Sequence, residues 1–190
     1  MAFTPTLTKD KGNIKKKSGG IWKIAASTDA GPSTSLAAAD WGDLGFVKVN
    51  SKRNKVDRIK DYDESGKLVV DEKGNVDRGL SITLMQTDAA LVEFIRNTAD
   101  TQNTFYALYH YDGIANAKRR EELYPICKIA SDFEINSDNQ EMVIQVSILD
   151  NDTAITFGGT GNAALPTGAY ATSVVVAVNT GWKIQETAVA

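Results

Sequence analysis

Apolar and polar residues alternate along residues 80–149 with two different periods, and each change of period marks a new element. Leu80, Ile82 and Leu84 occupy one face of a period-two run, which predicts a half-buried strand over Leu80–Met85. Leu91, Phe94, Ile95 and Thr98 then recur at helical spacing, so a helix over about 88–99 turns one apolar stripe toward a sheet. Thr87 or Asp88 can cap it by accepting from its free N–H groups. Period two resumes with Phe105, Ala107, Tyr109 and Tyr111 opposite Tyr106, Leu108 and His110. Asp112-Gly113 opens a polar loop that carries Lys118-Arg119-Arg120-Glu121-Glu122. The clearest hairpin follows. Cys127, Ile129, Phe133 and Ile135 share a face on the way out, and Met142, Ile144, Val146 and Ile148 on the return. The turn Asn136-Ser137-Asp138-Asn139 between them is rich in residues that tolerate unusual backbone angles.

The pattern is weaker elsewhere. Residues 1–20 hold five Lys and three Gly with little apolar content, and are expected to form a flexible N-terminal arm. Ile21–Ala26 and Leu44–Val49 are strand candidates on either side of a small, polar stretch, residues 27–40. Residues 51–79 are the most charged part of the chain, with 8 basic and 7 acidic residues. They are expected to form a long charged loop with one exposed hairpin around the short strand Lys67–Val70. A structureless loop of that length is more often functional than idle, so an arm between subunits competes with a solvated surface loop. Beyond residue 157 the composition shifts to Gly, Ala, Thr and Asn. Residues 158–190 are expected to be a C-terminal extension, with a loose loop at 158–172 and two strands, Thr172–Val178 and Trp182–Thr187.

Composition narrows the class. In 190 residues, 42% are hydrophobic and 24% charged, enough for one core under a well-solvated surface. The net charge of −3 is unevenly spread, +4 over residues 1–120 and −7 over residues 121–190. Without a clustered basic face, tight nonspecific DNA binding is not expected. No run approaches the length of a membrane helix, and the first residues lack the charged-then-apolar pattern of a secretory signal, so folding in a reducing cytoplasm is expected. Cys127 is the only cysteine, which leaves no intrachain disulfide, and its apolar strand setting implies a buried thiol.

No catalytic constellation emerges, and no metal or other cofactor is implied. His110, the only histidine, lies within an aromatic strand. Gly158-Gly159-Thr160-Gly161 lacks the Lys-Ser/Thr of a phosphate loop, and Asp150-Asn151-Asp152 lacks the Gly and bidentate Glu of a calcium loop. The carboxylate pairs Asp61/Asp63, Asp71/Glu72 and Glu121/Glu122 each sit in mixed-charge sequence, where solvated faces account for them.

The order of elements carries a resemblance. A strand leads into a long charged segment, a strand returns, one helix follows, then a strand, then a hairpin. With the stretches Leu123–Asn136 and Gln140–Leu149, and over roughly Leu44–Phe157, the chain resembles the major tail tube proteins of long-tailed bacteriophages, which share their fold with type VI secretion tube proteins. The resemblance implies a mainly β subunit, a β-sandwich or half-barrel over residues 21–157 with one flanking α-helix. It implies hexameric rings stacked into a tube through which DNA passes, in a virion tail assembled in the host cytoplasm. The partners implied are further copies of the chain, tape-measure, terminator and baseplate proteins, and a sheath in contractile tails, with no membrane. Under it, Lys128, Asp132, Glu134, Glu141, Gln145 and Ser147 become candidates for lining the lumen, where like charge keeps DNA from sticking. Lys52, Arg53, Lys55, Arg58, Lys60, Asp61, Asp63, Glu64 and Lys67 become candidates for contacts between subunits. Two other readings stay open: a capsid-decoration or head-completion β protein, and a carbohydrate-binding β-sandwich using Tyr106, Tyr109, Tyr111 and Trp182 as stacking faces.

Overall fold

Alternation of apolar side chains at period two becomes an antiparallel, mainly β architecture with little helix. The computed structural model describes residues 21–84, 89–95, 104–115, 118–136 and 141–188. Their elements are β1 (Ile21–Ser27), β2 (Gly42–Tyr62), β3 (Leu68–Leu84), α1 (Ala89–Phe94), β4 (Phe105–Ala115), β5 (Lys118–Asn136), β6 (Glu141–Ile148), β7 (Ile155–Gly158), β8 (Ser173–Val176) and β9 (Lys183–Ala188). The expected helix is present in its described part. Its cap at Thr87 or Asp88, and Thr98, lie outside the described residues, as do residues 1–20 and the turn residues 137–140.

Six strands form a closed cycle. β1 pairs with β2, β2 with β3, β3 with β6, β6 with β5, β5 with β4, and β4 again with β1. Each strand of the cycle thus has a neighbour on both sides over part of its length, which leaves the barrel fewer free edges to template aggregation. β5 makes the closure possible by its length. It pairs with β4 over Lys118–Cys127 and with β6 over Cys127–Asn136, while β9 takes the place of β6 alongside Lys118–Leu123. Pro125 falls where the β4–β5 register shifts, a position that needs no ladder N–H.

The alternation expected from sequence fills the inside of this cycle. Trp22, Ile24, Leu44, Val47, Leu80, Ile82, Leu84, Tyr106, Leu108, Tyr124, Cys127, Ile129, Met142, Ile144 and Val146 form one buried cluster, and α1 adds Leu91, Phe94 and Ile95. The helical stripe therefore does pack on the sheet. A second cluster lies on the other face of β4 and β5. Ala107, Tyr109, Leu123 and Ile126 meet Trp41 and the β7–β8 hairpin through Ile155, Phe157, Val174 and Val176. β4 is thus buried on both faces, which is why Phe105–Tyr111 is apolar at nearly every position. Residues 158–172 are fastened rather than loose. Gly158 N–H donates to Ala163 O, Trp41 Nε1–H to Ala164 O, and Ala163 and Leu165 are buried. Asn151 pins the neighbouring turn, donating to Thr153 O and Ala177 O and accepting from Gly181 N–H.

Three further expectations need correction. Residues 118–122 belong to β5 and not to a polar loop. Glu121 and Glu122 are buried, 2% and 1% exposed, and not on a solvated face. The excursion at 51–79 is one continuous hairpin whose strands run on from the barrel, so Lys67–Val70 is part of a 17-residue strand.

Candidate assembly surface

β2 and β3 outrun the barrel. β1 reaches β2 only as far as Phe46, and β6 reaches β3 only from Gly79 onward. From Asn54↔Arg78 to Tyr62↔Leu68 the two strands pair with nothing but each other, forming a ribbon of roughly 30 Å at about 3.3 Å per residue. Such a ribbon is marginal alone, so local chemistry must hold it. Arg53 pairs with Asp77 at 2.7 Å and Arg58 with Asp71 at 2.6 Å, both across the ribbon. The Asp71 carboxyl is held below its ordinary value by the hydrogen bond from Arg58. At the tip, Asp63 Oδ1 accepts from Ser65 N–H, Ser65 Oγ–H and Lys67 N–H at 2.9, 2.6 and 2.9 Å. Gly66 supplies the left-handed residue, φ 79°, that closes the turn.

The ribbon's surface is unusual for a solvated arm. Val56, Ile59, Tyr62, Leu68 and Val69 are 39–57% exposed, interleaved with the charges. Large apolar side chains exposed among charges on a protruding element are the kind of surface that a partner covers. The nine proposed contact residues divide here. Lys52 is committed to its own barrel through Glu122, and Arg53, Arg58 and Asp63 to the ribbon's own pairs and turn. Lys55 lies 3.3 Å from Asp57, while Lys60, Asp61, Glu64 and Lys67 stand on the exposed surface.

The base of the ribbon is clamped on both strands. From β2, Lys52 donates to Glu122; from β3, Arg78 pairs with Asp150 and donates to Asn54 Oδ1 (3.3 Å) and Asn179 O (3.4 Å). Glu122 also accepts from Tyr124 OH at 2.7 Å and pairs with Arg120 at 2.9 Å, with His110 Nδ1 at 3.6 Å. Burial alone would raise the Glu122 carboxyl. The neighbouring His110 ring, the hydrogen bonds from Lys52 and Tyr124 and the Lys52 charge outweigh it and hold the group well below the ordinary carboxylate range. Its neighbour Glu121 faces the second cluster, where Tyr109 OH, Tyr170 N–H, Gln185 Nε2 and Thr187 Oγ1 donate to it and lower it against burial in the same way. Both carboxylates are thus satisfied by partners from the chain's own fold.

Beside the clamp runs a stack of four rings, His110–Trp22–Tyr124–Trp182, with centroid spacings of 4.5, 6.1 and 6.1 Å and interplanar angles of 20°, 11° and 5°. Trp182 ends the stack in a small cleft of about 70 Å³. Leu80, Tyr124, Ile148 and Trp182 give it an apolar floor, and Lys52, Arg53 and Arg78 its charged lining. Sequence reading missed the clamp, the stack and the cleft. Their one local signal was the apolar run Leu123–Cys127 directly after Glu121-Glu122, which extends a strand back through both acids.

The row proposed for the lumen is placed in part. Lys128 pairs opposite Ser147, Glu134 opposite Val143 and Asn136 opposite Glu141, so one register row carries Lys128, Glu134, Glu141, Gln145 and Ser147. The pairing is irregular between Ala130 and Glu134, which leaves Asp132 off this row. Gln145 and Ser147 are exposed, Gln145 donating to Ser81 Oγ, while the half-buried Lys128 sets its ammonium 4.7 Å from the centre of the Phe105 ring. The side chains of Asp132, Glu134 and Glu141 lie outside the described residues. Of the four aromatics suggested as sugar platforms, Tyr106 and Tyr109 are buried and Tyr111 and Trp182 half-buried, so they do not form an open stacking face.

Among the described residues no three His, Cys, Asp or Glu side chains gather as a metal site, and no helix is long and apolar enough to cross a membrane. Searched against protein-family models and against curated proteins, the chain matches none.

Proposed function

We propose that this chain is a self-assembling structural subunit of the phage tail tube type, whose stacked hexameric rings form a tube for passage of genomic DNA. The observation that carries the reading is the ribbon. A barrel already closed on itself gains nothing for its own core from a 30 Å hairpin with five exposed large apolar side chains, and such a feature acquires a use when a partner covers it. The order barrel strand, protruding hairpin, barrel strand, helix, strand, hairpin also agrees with the architecture that the resemblance implies. The register row on β5 and β6 carries two acids against one lysine, a balance that suits a lumen, since phosphate attraction comes from Lys and Arg.

Negative-stain electron microscopy of the purified protein tests this directly. Rings or tubes with a central channel are expected. Deletion of residues 60–74 should abolish them and leave a folded monomer. Normal tubes from that deletion would refute the role of the ribbon, and discrete oligomers that never stack would favour the capsid-decoration or head-completion reading.

A further inference from the structure

Charge is not spread evenly along the ribbon. The tip, residues 60–72, holds five acids and two lysines, whereas the flanking base segments 51–59 and 73–79 hold six basic residues and two acids. The ribbon is therefore a dipole, about −3 at the tip and +4 at the base, with exposed Tyr62, Leu68 and Val69 at the acidic end. The basal cleft offers an apolar floor around Trp182 and Leu80, and Lys52, Arg53 and Arg78 line it, each beside one acid of its own fold. Asp77, Asp150 and Glu122 hold those cations from outside the lining. Continuous pairing from base to tip keeps the tip roughly 30 Å from its own cleft, so an occupant of matching chemistry must come from another molecule.

We infer that the ribbon tip of one copy docks in the basal cleft of the next, with Tyr62 and Leu68 against the Trp182 floor and the tip acids against Arg53 and Arg78. This rests on the assembly reading and names the surface that receives the ribbon. The contact is head-to-tail: donor and acceptor are different parts of the chain, so each copy offers one of each and the contact propagates into rings or filaments. A ribbon-to-ribbon contact would instead be self-complementary and stop at dimers.

Mixing experiments separate these cases. The tip variant Tyr62→Ser/Leu68→Ser keeps an intact cleft. The cleft variants Trp182→Ser and Trp182→Glu keep an intact tip and leave the ribbon's Arg53–Asp77 and Arg58–Asp71 pairs in place. Each variant alone should sediment as a monomer with a native circular-dichroism spectrum. An equimolar mixture of tip and cleft variants should give a heterodimer and nothing larger, because only one productive contact can form. Cleft variants that assemble like the parent, or mixtures that stay monomeric while the parent assembles, overturn the docking and leave the assembly reading standing. A parent chain that is monomeric at every concentration overturns both.

Discussion

At Glu122, burial and hydrogen bonding pull the carboxyl in opposite directions, and the hydrogen bonds prevail. The unfolded chain restores the ordinary glutamate value of 4.5, so between that value and the lower folded one the unfolded state binds a proton that the folded state does not. Stability is then fully present above pH 4.5 and falls as the solution is acidified below it. We expect Glu122→Gln to lower unfolding free energy at pH 7 by about 2–3 kcal/mol, since a buried partner of Tyr124 and of the Lys52 ammonium loses its charge. The gap between parent and variant should narrow below pH 4.5 in urea titrations, although Glu121 gives both curves a slope of the same sign. A constant gap down to pH 3 would contradict this account. Cys127 offers a second test. Full burial raises its thiol far above the ordinary range, so it should resist Ellman's reagent in the native protein and react at once in denaturant.

Among elements, two glycines with similar backbone angles should respond very differently to alanine. Gly158 ends β7 at φ 75°, and a Cβ there would lie 2.2 Å from Thr172 O, inside the β7–β8 pairing that covers the second cluster. Gly158→Ala must move backbone, and a loss of about 3 kcal/mol or more is expected in thermal or chemical unfolding. Gly66 has φ 79° but open space around its missing Cβ. Gly66→Ala should cost only about 1 kcal/mol of left-handed strain. That cost falls inside the ribbon, so faster amide exchange near Asp63–Lys67 is expected with no change in barrel melting. The contrast shows that a turn glycine's importance depends on what surrounds it as much as on its φ.

For the whole molecule, the barrel and the ribbon should separate in stability and in assembly. Replacing residues 55–77 by Asn-Gly keeps Lys52 on Glu122 and Arg78 on Asp150, and removes no side chain of either buried cluster. The shortened protein should melt within a few degrees of the parent yet fail to assemble, as read by calorimetry and sedimentation. Because the ribbon is polarised and exposed, assembly of the parent should also weaken as salt rises from about 0.05 to 0.5 M, where the screening length shrinks below the reach of surface charges.

What the sequence determined was everything set by neighbours along the chain. Period two in Leu80–Leu84 and Met142–Val146, and the stripe Leu91, Phe94, Ile95, fixed which residues enter the core, because a side chain's face follows from its place in a strand or helix. Cys127 was legible as buried for the same reason. The lumen row was legible only as an alternation, which the irregular pairing between Ala130 and Glu134 interrupts. Tertiary structure decided the rest. Whether Glu121 and Glu122 meet water or protein depends on β4, β9 and Lys52, brought to β5 from 10 to 70 residues away. Whether residues 51–79 are a loop or a ribbon depends on pairing across a turn, to which charged side chains at alternate positions give no period-two signal. The Trp182 cleft exists only because β9 follows β6 along one long strand, and no local pattern encodes that a strand will have two successive neighbours on the same side.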